Sequence, residues 1–243
     1  MKTLILAILL PLAPLVAVGA ESSAFAKGNA ALLDEAYADA VQWYEKHLDE
    51  SGPDAATLYN LGNAHYRLGD YGPAVHAYER ARLLDPRAAD IRANLKLARE
   101  AAAAFDDEPG RWEAPLHWLG LGEWLFAGGA ALVLLAISSL AKGLFFQDRA
   151  PAAMRWTAAG SLLLLFASVG AFAIRHSELK RAIVLNPNAP VRLSPFATAE
   201  VVATLQAGRS VEIGKEHGGF FRVANGWIAE EDAAPVYPRE PGR

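Results

Sequence analysis

The chain has no cysteine. That absence excludes disulfides, CxxC redox chemistry, thiolate zinc sites and thiol nucleophiles. It also removes any redox clue to the compartment, so location has to be read from segments. An excess of positive charge is lacking too. Twenty-three Lys and Arg stand against 27 Asp and Glu, a net charge of −4. Bulk electrostatic binding to nucleic acid is therefore not expected. Nucleotide and hydrolase signatures are missing: no GxSxG, GxxxxGK[ST] or GxGxxG occurs. The histidines, His47, His65, His76, His117, His176 and His217, form no HExxH and no zinc-ligand spacing with carboxylates. Only His65 and His76 could approach each other, across the repeat, but His65 stands where such repeats usually carry a packing aromatic. No catalytic residue, cofactor or metal is expected. What remains is 53 % hydrophobic over 243 residues, which is no disordered tail and leaves room for one or two domains.

Four stretches differ in character. Met1-Lys2 precedes an apolar run from Leu4 to Val18, and a small-residue exit follows. This predicts a secretory signal peptide over residues 1–20. Val18-Gly19-Ala20 offers one cleavage site; Ala24-Phe25-Ala26 fits the A-x-A rule equally well and would place cleavage after residue 26. Residues 21–111 are acidic, with sixteen Asp and Glu against ten Lys and Arg.

Between residues 112 and 175 only three acids and four bases occur. A linker and interfacial segment, 105–123, leads into two apolar spans, 124–141 and 156–174, joined by a loop, 142–155. Each span has about eighteen or nineteen uncharged residues, near the length that crosses a bilayer core. Trp112, Trp118 and Trp124 precede the first span and Trp156 opens the second, where indole rings prefer the interface. The spans carry no buried charge and no helix breaker, which predicts an anchor rather than a channel. Lys142, Arg149 and Arg155 against Asp148 suit the cytoplasmic side. Arg175, Lys180 and Arg181 on the far flank offset part of that bias, so the signal peptide decides. Residues 21–111 are exported first, and two spans return the C-terminal part to the same side. The expectation is a two-pass protein of a bacterial inner membrane with both soluble parts on the periplasmic face.

The first soluble part, 21–104, is repetitive. Leu61-Gly62, Ala74, Tyr78, Ala81 and Pro86 fall at the spacings of a 34-residue tetratricopeptide repeat. Gly62 and Ala74 are small so that two helices can cross closely. Gly69-Asp70 breaks the chain between them, and Asp85-Pro86 ends the second. Gly28, Ala40 and Tyr44 stand 34 residues before Gly62, Ala74 and Tyr78, a weaker copy closed by Gly52-Pro53. Residues 89–104 predict one more amphipathic helix, without a partner, capping the array.

Asparagines recur on the first helices: Asn29 and Asn63 are 34 apart, as are Asn60 and Asn94. An amide gives and takes hydrogen bonds along an extended peptide. With Tyr59, Tyr66 and Arg67 they form the candidate partner groove. The competing reading is that the asparagines serve the fold alone. On the groove reading Asn63 is removable without loss of stability. A clamp for a C-terminal carboxylate would want a lysine where Phe25 stands, so that specificity is not expected.

Past Lys180 the period changes to alternation. Short β-rich runs cover 182–184, 201–205, 210–213, 220–223 and 227–229. Asn186-Pro187-Asn188, Ala207-Gly208 and Gly218-Gly219 separate them, and Asn225-Gly226 reads as a two-residue hairpin turn. These runs predict a small all-β barrel over 181–236 and a tail, 237–243. Val191-Arg192-Leu193-Ser194-Pro195, the Val202–Gly208 strand and turn, and Asn225-Gly226-Trp227-Ile228 resemble a bacterial SH3 domain. The glycine usual before Pro195 is missing. The resemblance implies a peptide or cell-wall groove lined by Arg192, Phe220, Phe221 and Trp227. Against it, Phe221 and Trp227 also suit the core.

The whole order, signal peptide, tetratricopeptide repeats, two-helix transmembrane hairpin and SH3-like barrel, resembles the BatE family of the Bat aerotolerance operons. LYNLGNAHYRLGDYGPAVHAYERA, the Leu121-Gly122-Glu123-Trp124 entry to the first span and the final barrel carry the likeness. It implies a non-enzymatic scaffold that acts with von Willebrand factor A-type Bat membrane proteins and a MoxR-type ATPase in stress tolerance. The alternative is a cell-wall sensor whose SH3-like domain binds peptidoglycan.

Overall fold

Ser23 starts the first helix because its hydroxyl accepts the Ala26 N–H at 3.2 Å, replacing a missing intrahelical partner. In the computed structural model, which describes residues 23–104, 119–146, 151–175 and 180–237, that helix is α1 (Ala24–Leu33). The signal-peptide stretch 1–20, linker residues 105–118, loop residues 147–150 and tail residues 238–243 lie outside the described residues. α2 (Tyr37–Ser51) folds back on α1. α3 (Ala55–Leu68) is capped by Asp54, which accepts the Thr57 N–H at 2.9 Å. It stops at Gly69, whose left-handed φ of 84° lets the Gly69 and Asp70 N–H groups return to the Tyr66 and His65 carbonyls. α4 (Tyr71–Leu84) and α5 (Ala89–Ala101) follow.

The close crossings expected from the small residues are present twice. A Cβ on Gly28 would sit 2.6 Å from the Tyr44 ring, and one on Gly62 2.6 Å from the Tyr78 ring. Each tyrosine lies flat on bare helix backbone. Ala40, Tyr44, Leu61, Ala64 and Ala77 join the first helix pair to the second; Leu58, Ala81 and Ile91 join the second pair to α5.

α6 (Leu121–Phe145) and α7 (Ala152–Arg175) are long and apolar enough to cross a membrane. Ala131, Ser161, Ser168 and Ala171 are buried between them, while Leu125, Phe126, Leu140, Trp156 and Phe166 point outward. The Ser168 hydroxyl donates to the Leu164 carbonyl of its own helix at 2.9 Å, so it offers no free polar group to the outside. Glu123, at the start of α6, pairs with Arg87 in the α4–α5 turn.

The C-terminal part is all β, but the expected barrel does not close. Among the described residues, β1 (Arg181–Val184), β4 (Ser210–Glu212) and β8 (Ala233–Pro235) form one sheet in the order β4-β1-β8. β2 (Ala189–Arg192), β3 (Val201–Leu205), β5 (Glu216–His217), β6 (Phe220–Val223) and β7 (Gly226–Ala229) form another, ordered β3-β2-β7-β6-β5. The chain passes between them after β4, where the Gly214 N–H donates to the Arg222 carbonyl at 2.7 Å. Val184, Val191, Ile213, Phe221, Val223 and Ile228 share one core between the sheets. β3 pairs with β2 alone and β4 with β1 alone, so the sheets stay open between β3 and β4. β2, β5 and β8 are additions to the five expected runs; β2 and β8 carry a proline and β5 is two polar residues, so alternation does not reveal them. The hairpin turn falls on Ala224-Asn225, one residue before the expected pair, because Val223 faces Gly226 in the ladder. Gly226 is instead needed for close approach: a Cβ there would overlap the Arg192 carbonyl of β2.

The β domain sits on the helices, and α5 is not the free end of the array. A Cβ on Gly72 would overlap the Leu185 carbonyl, so α4 meets that backbone directly. Gly208, at φ 79°, rests on Val75, Ala102 and Ala104. Ile183 and Val236 join Ala74, Val75, Tyr78, Leu95 and Ala98 in one apolar cluster. The His76 Nε2–H donates to the Pro235 carbonyl at 3.0 Å. Glu79, only 1 % exposed, takes Arg82 of α4 at 2.8 Å, Arg99 of α5, and Arg181 of β1 at 3.5 Å. The flank of α4 and α5 that another helix would cover in a longer array is covered by sheet.

Candidate functional site

The 34-residue spacing of the asparagines becomes a ladder of side-chain bonds between α1, α3 and α5. The Tyr44 hydroxyl donates to Asn29 Oδ1 at 2.8 Å, and Asn60 Nδ2 donates to the same oxygen at 3.0 Å. One repeat later, the Tyr78 hydroxyl donates to Asn63 Oδ1 at 2.7 Å and Asn94 Nδ2 donates to it at 2.9 Å. Asn94 Nδ2 also reaches the Tyr59 hydroxyl at 3.0 Å. Burial pushes the Tyr44 phenol up to about 12, with the Asn60 amide opposing; burial and the nearby Tyr59 raise Tyr78 as well, with Asn94 opposing. Both phenols are neutral donors at any physiological pH.

Each amide therefore has a bonded half and a remaining half. Among the described residues, Nδ2 of Asn29 and Asn63 and Oδ1 of Asn60 and Asn94 make no hydrogen bond. Two donors and two acceptors of half-buried amides remain along the strip. The expectation that Asn63 is removable at no cost is corrected by its two bonds. Asn63→Ala strands the Tyr78 hydroxyl and the Asn94 amide and lowers stability by about 1–3 kcal/mol. Asn63→Asp keeps an oxygen for both donors and stays within about 1 kcal/mol of wild type. Urea titration of the two variants by circular dichroism separates these outcomes; equal losses would remove Oδ1 from its bracing role.

Tyr59 lies in the strip, its ring tilted against Tyr78 at a centroid distance of 5.9 Å. Tyr66 lies against Tyr71 at 5.6 Å and packs on the apolar cluster beneath. Arg67 is set apart: it stacks over Tyr37 at 4.9 Å and approaches Glu35 at 3.9 Å, both of the α1–α2 junction. His65 approaches Asp70 at 3.8 Å and His76 is bonded to Pro235, so neither ring is turned to a ligand.

On the β domain, Arg192, Phe220 and Trp227 share the outer face of the five-stranded sheet. Arg192 and Arg222 stand opposite Trp227, and His217 opposite Phe220. Arg222 lies 5.4 Å from the Trp227 ring. Phe221 points the other way and is 5 % exposed, so it belongs to the core and not to that face.

Glu79 and its arginines were not legible as a group. Burial by itself would raise the Glu79 carboxyl, but Arg82, Arg99 and Arg181 outweigh it and hold it at about 2. The one signal in the sequence was an acid among the apolar positions of α4, flanked by Tyr78 and Ala81.

Residues 55–87 match the family model of the tetratricopeptide repeat. Over 69 residues the chain is 45 % identical to the Hsp70-Hsp90 organizing protein of Triticum aestivum, a stretch that makes up 28 % of this chain and 12 % of that one. The chain thus spans a small part of the length of the curated relative it matches. The tetratricopeptide repeat is a protein-interaction fold, and the helical part of this chain is built as one.

Proposed function

We propose that the protein is a non-enzymatic, membrane-anchored scaffold that holds protein partners outside the cytoplasm of a bacterial cell. The observation that carries this reading is the docking of the β domain on the helical repeats. α6 and α7 stand between the two in sequence, and buried contacts such as Glu79 with Arg181 cannot form across a bilayer. Two helices that leave and return to one side satisfy both facts. A signal peptide over 1–20 makes that side periplasmic. Cleavage after residue 20 suits the fold better than cleavage after 26, which would remove the Ser23 cap and the first turn of α1. The asparagine strip, with its leftover donors and acceptors, suits an extended partner segment. In a BatE-like setting the partners are von Willebrand factor A-type Bat proteins together with a MoxR-type ATPase.

The absence of native cysteine makes the topology directly testable. Arg92→Cys and Lys215→Cys should react with a membrane-impermeant maleimide in intact spheroplasts, and Asp148→Cys only after permeabilisation. Labelling of Asp148→Cys before permeabilisation, or protection of Lys215→Cys, ends this reading. A second reading, a cell-wall sensor with an SH3-like module, is favoured by the aromatic and cationic face of Arg192, Phe220, Arg222 and Trp227. Co-sedimentation with purified peptidoglycan sacculi that is lost in Trp227→Ala would support it over the Bat-type scaffold.

A further inference from the structure

The open side of the β domain is a cleft of about 890 Å³ between β3 and the β4 segment. Its floor is apolar: Val191, Leu205, Val211 and Val223. Its charged lining is Lys180, Arg209, Lys215 and Arg222, with Glu212 as the one acid. Among the described residues Lys180, Arg209 and Lys215 form no ion pair, and Arg222 lies over the Trp227 ring. The chain as a whole is acidic, at −4, so a concentration of unpaired positive charge here is local and specific.

β3 forms one wall. It pairs with β2 alone, and Val201 and Val202 are each 45 % exposed. Edge strands are ordinarily blunted by inward charges, proline or a covering loop, because their free N–H and C=O groups recruit a further strand. β3 reads Val-Val-Ala-Thr-Leu, β-branched and uncharged, with none of those protections. A free edge, an apolar floor and a cationic rim together describe what would fill the cleft. Backbone groups of β3 take an extended chain, alternate side chains of that chain reach Val191, Leu205 and Val223, and the others reach the rim.

We propose that this cleft binds an extended acidic segment of a partner polypeptide, added as a strand to β3, with apolar side chains alternating with carboxylates. This surface is separate from the asparagine strip and adjoins the Arg192–Trp227 face, with which it shares Arg222. It gives the scaffold a second contact point that charge selects.

The test uses the full chain in detergent micelles and a fluorescein-labelled probe, Val-Glu-Val-Glu-Val-Glu-Val, followed by fluorescence anisotropy. Saturable binding is expected, with at least a tenfold loss in Arg209→Glu combined with Lys215→Glu. Alternate N-methylation of the probe should cost a similar factor, because it removes the strand hydrogen bonds and leaves the charges. The lysine counterpart of the probe should not bind. Asn63→Asp should bind the probe as wild type does, which separates this site from the repeat groove. Equal affinity of the probe for the charge-reversed protein overturns the proposal, as does full affinity of the N-methylated probe. Phosphatidylglycerol vesicles form a further arm: if charge reversal abolishes vesicle binding but leaves the peptide untouched, the rim serves a lipid surface and the proposal fails. A self-associated chain whose mass halves on charge reversal, with no probe binding, assigns the edge to a second copy and overturns it equally.

Discussion

Glu79→Ala lowers the stability of the joined helical and β parts by about 3–5 kcal/mol and frees the β domain from the helices. The substitution leaves Arg82, Arg99 and Arg181 facing one another around an emptied buried position. Like charges with no counter-ion repel, and their desolvation is no longer compensated. By contrast Glu50→Ala, which breaks an exposed pair with Lys46, changes stability by less than about 0.5 kcal/mol. Urea denaturation in micelles compares the two; similar midpoints would deny Glu79 its role. Acid titration carries the same information with a definite sign. Glu79 is held at about 2 in the folded chain against an ordinary 4.5, so its contribution is complete above 4.5 and is lost as pH falls through 2. His76 is lowered by burial to about 4 from 6.5, the bond to Pro235 opposing, so the folded state resists its protonation. Its contribution is complete above 6.5 and is lost as pH falls through 4. Stability should therefore decline from pH 6.5 downward. His76→Gln keeps a donor for Pro235 and flattens the upper part of that decline, and Glu79→Gln flattens the lower part.

Gly72→Val separates the two soluble parts without unfolding the repeats. The new Cβ would overlap the Leu185 carbonyl, which is backbone and cannot rotate away. Overpacking against a fixed neighbour costs about 1–3 kcal/mol or more, and here the cheapest relief is to lift β1 off α4. Hydrogen exchange should rise sharply over 181–184 and 233–236, while the α1–α3 amides keep their protection. Gly129→Ala is the matched control, since a Cβ there meets nothing within 4 Å. Unchanged protection of β1 in Gly72→Val would show that the docking rests elsewhere.

The helix pairs were readable in the chain because their constraints are local or strictly periodic. Gly28 with Tyr44 and Gly62 with Tyr78 are sixteen residues apart within each pair and repeat every 34, so spacing alone announces a ring on bare backbone. The two apolar helices follow from local composition in the same way. The asparagines show the limit of periodicity. Their spacing placed them on one strip, but spacing cannot tell which amide oxygen meets a tyrosine and which half stays open. That depends on how α1, α3 and α5 rotate against each other. In the β domain, alternation located five of the strands, β1, β3, β4, β6 and β7. The pairing of Val223 with Gly226 and the failure of the sheets to close are decided by register and by which backbone groups meet. Least legible of all was the docking of the β domain. Glu79 and Arg181 are 102 residues apart with both apolar spans between them, and Arg181 alone reads as an ordinary surface charge. Only the tertiary structure makes them partners, because a buried charge becomes tolerable when surfaces from distant parts of the chain close around it together.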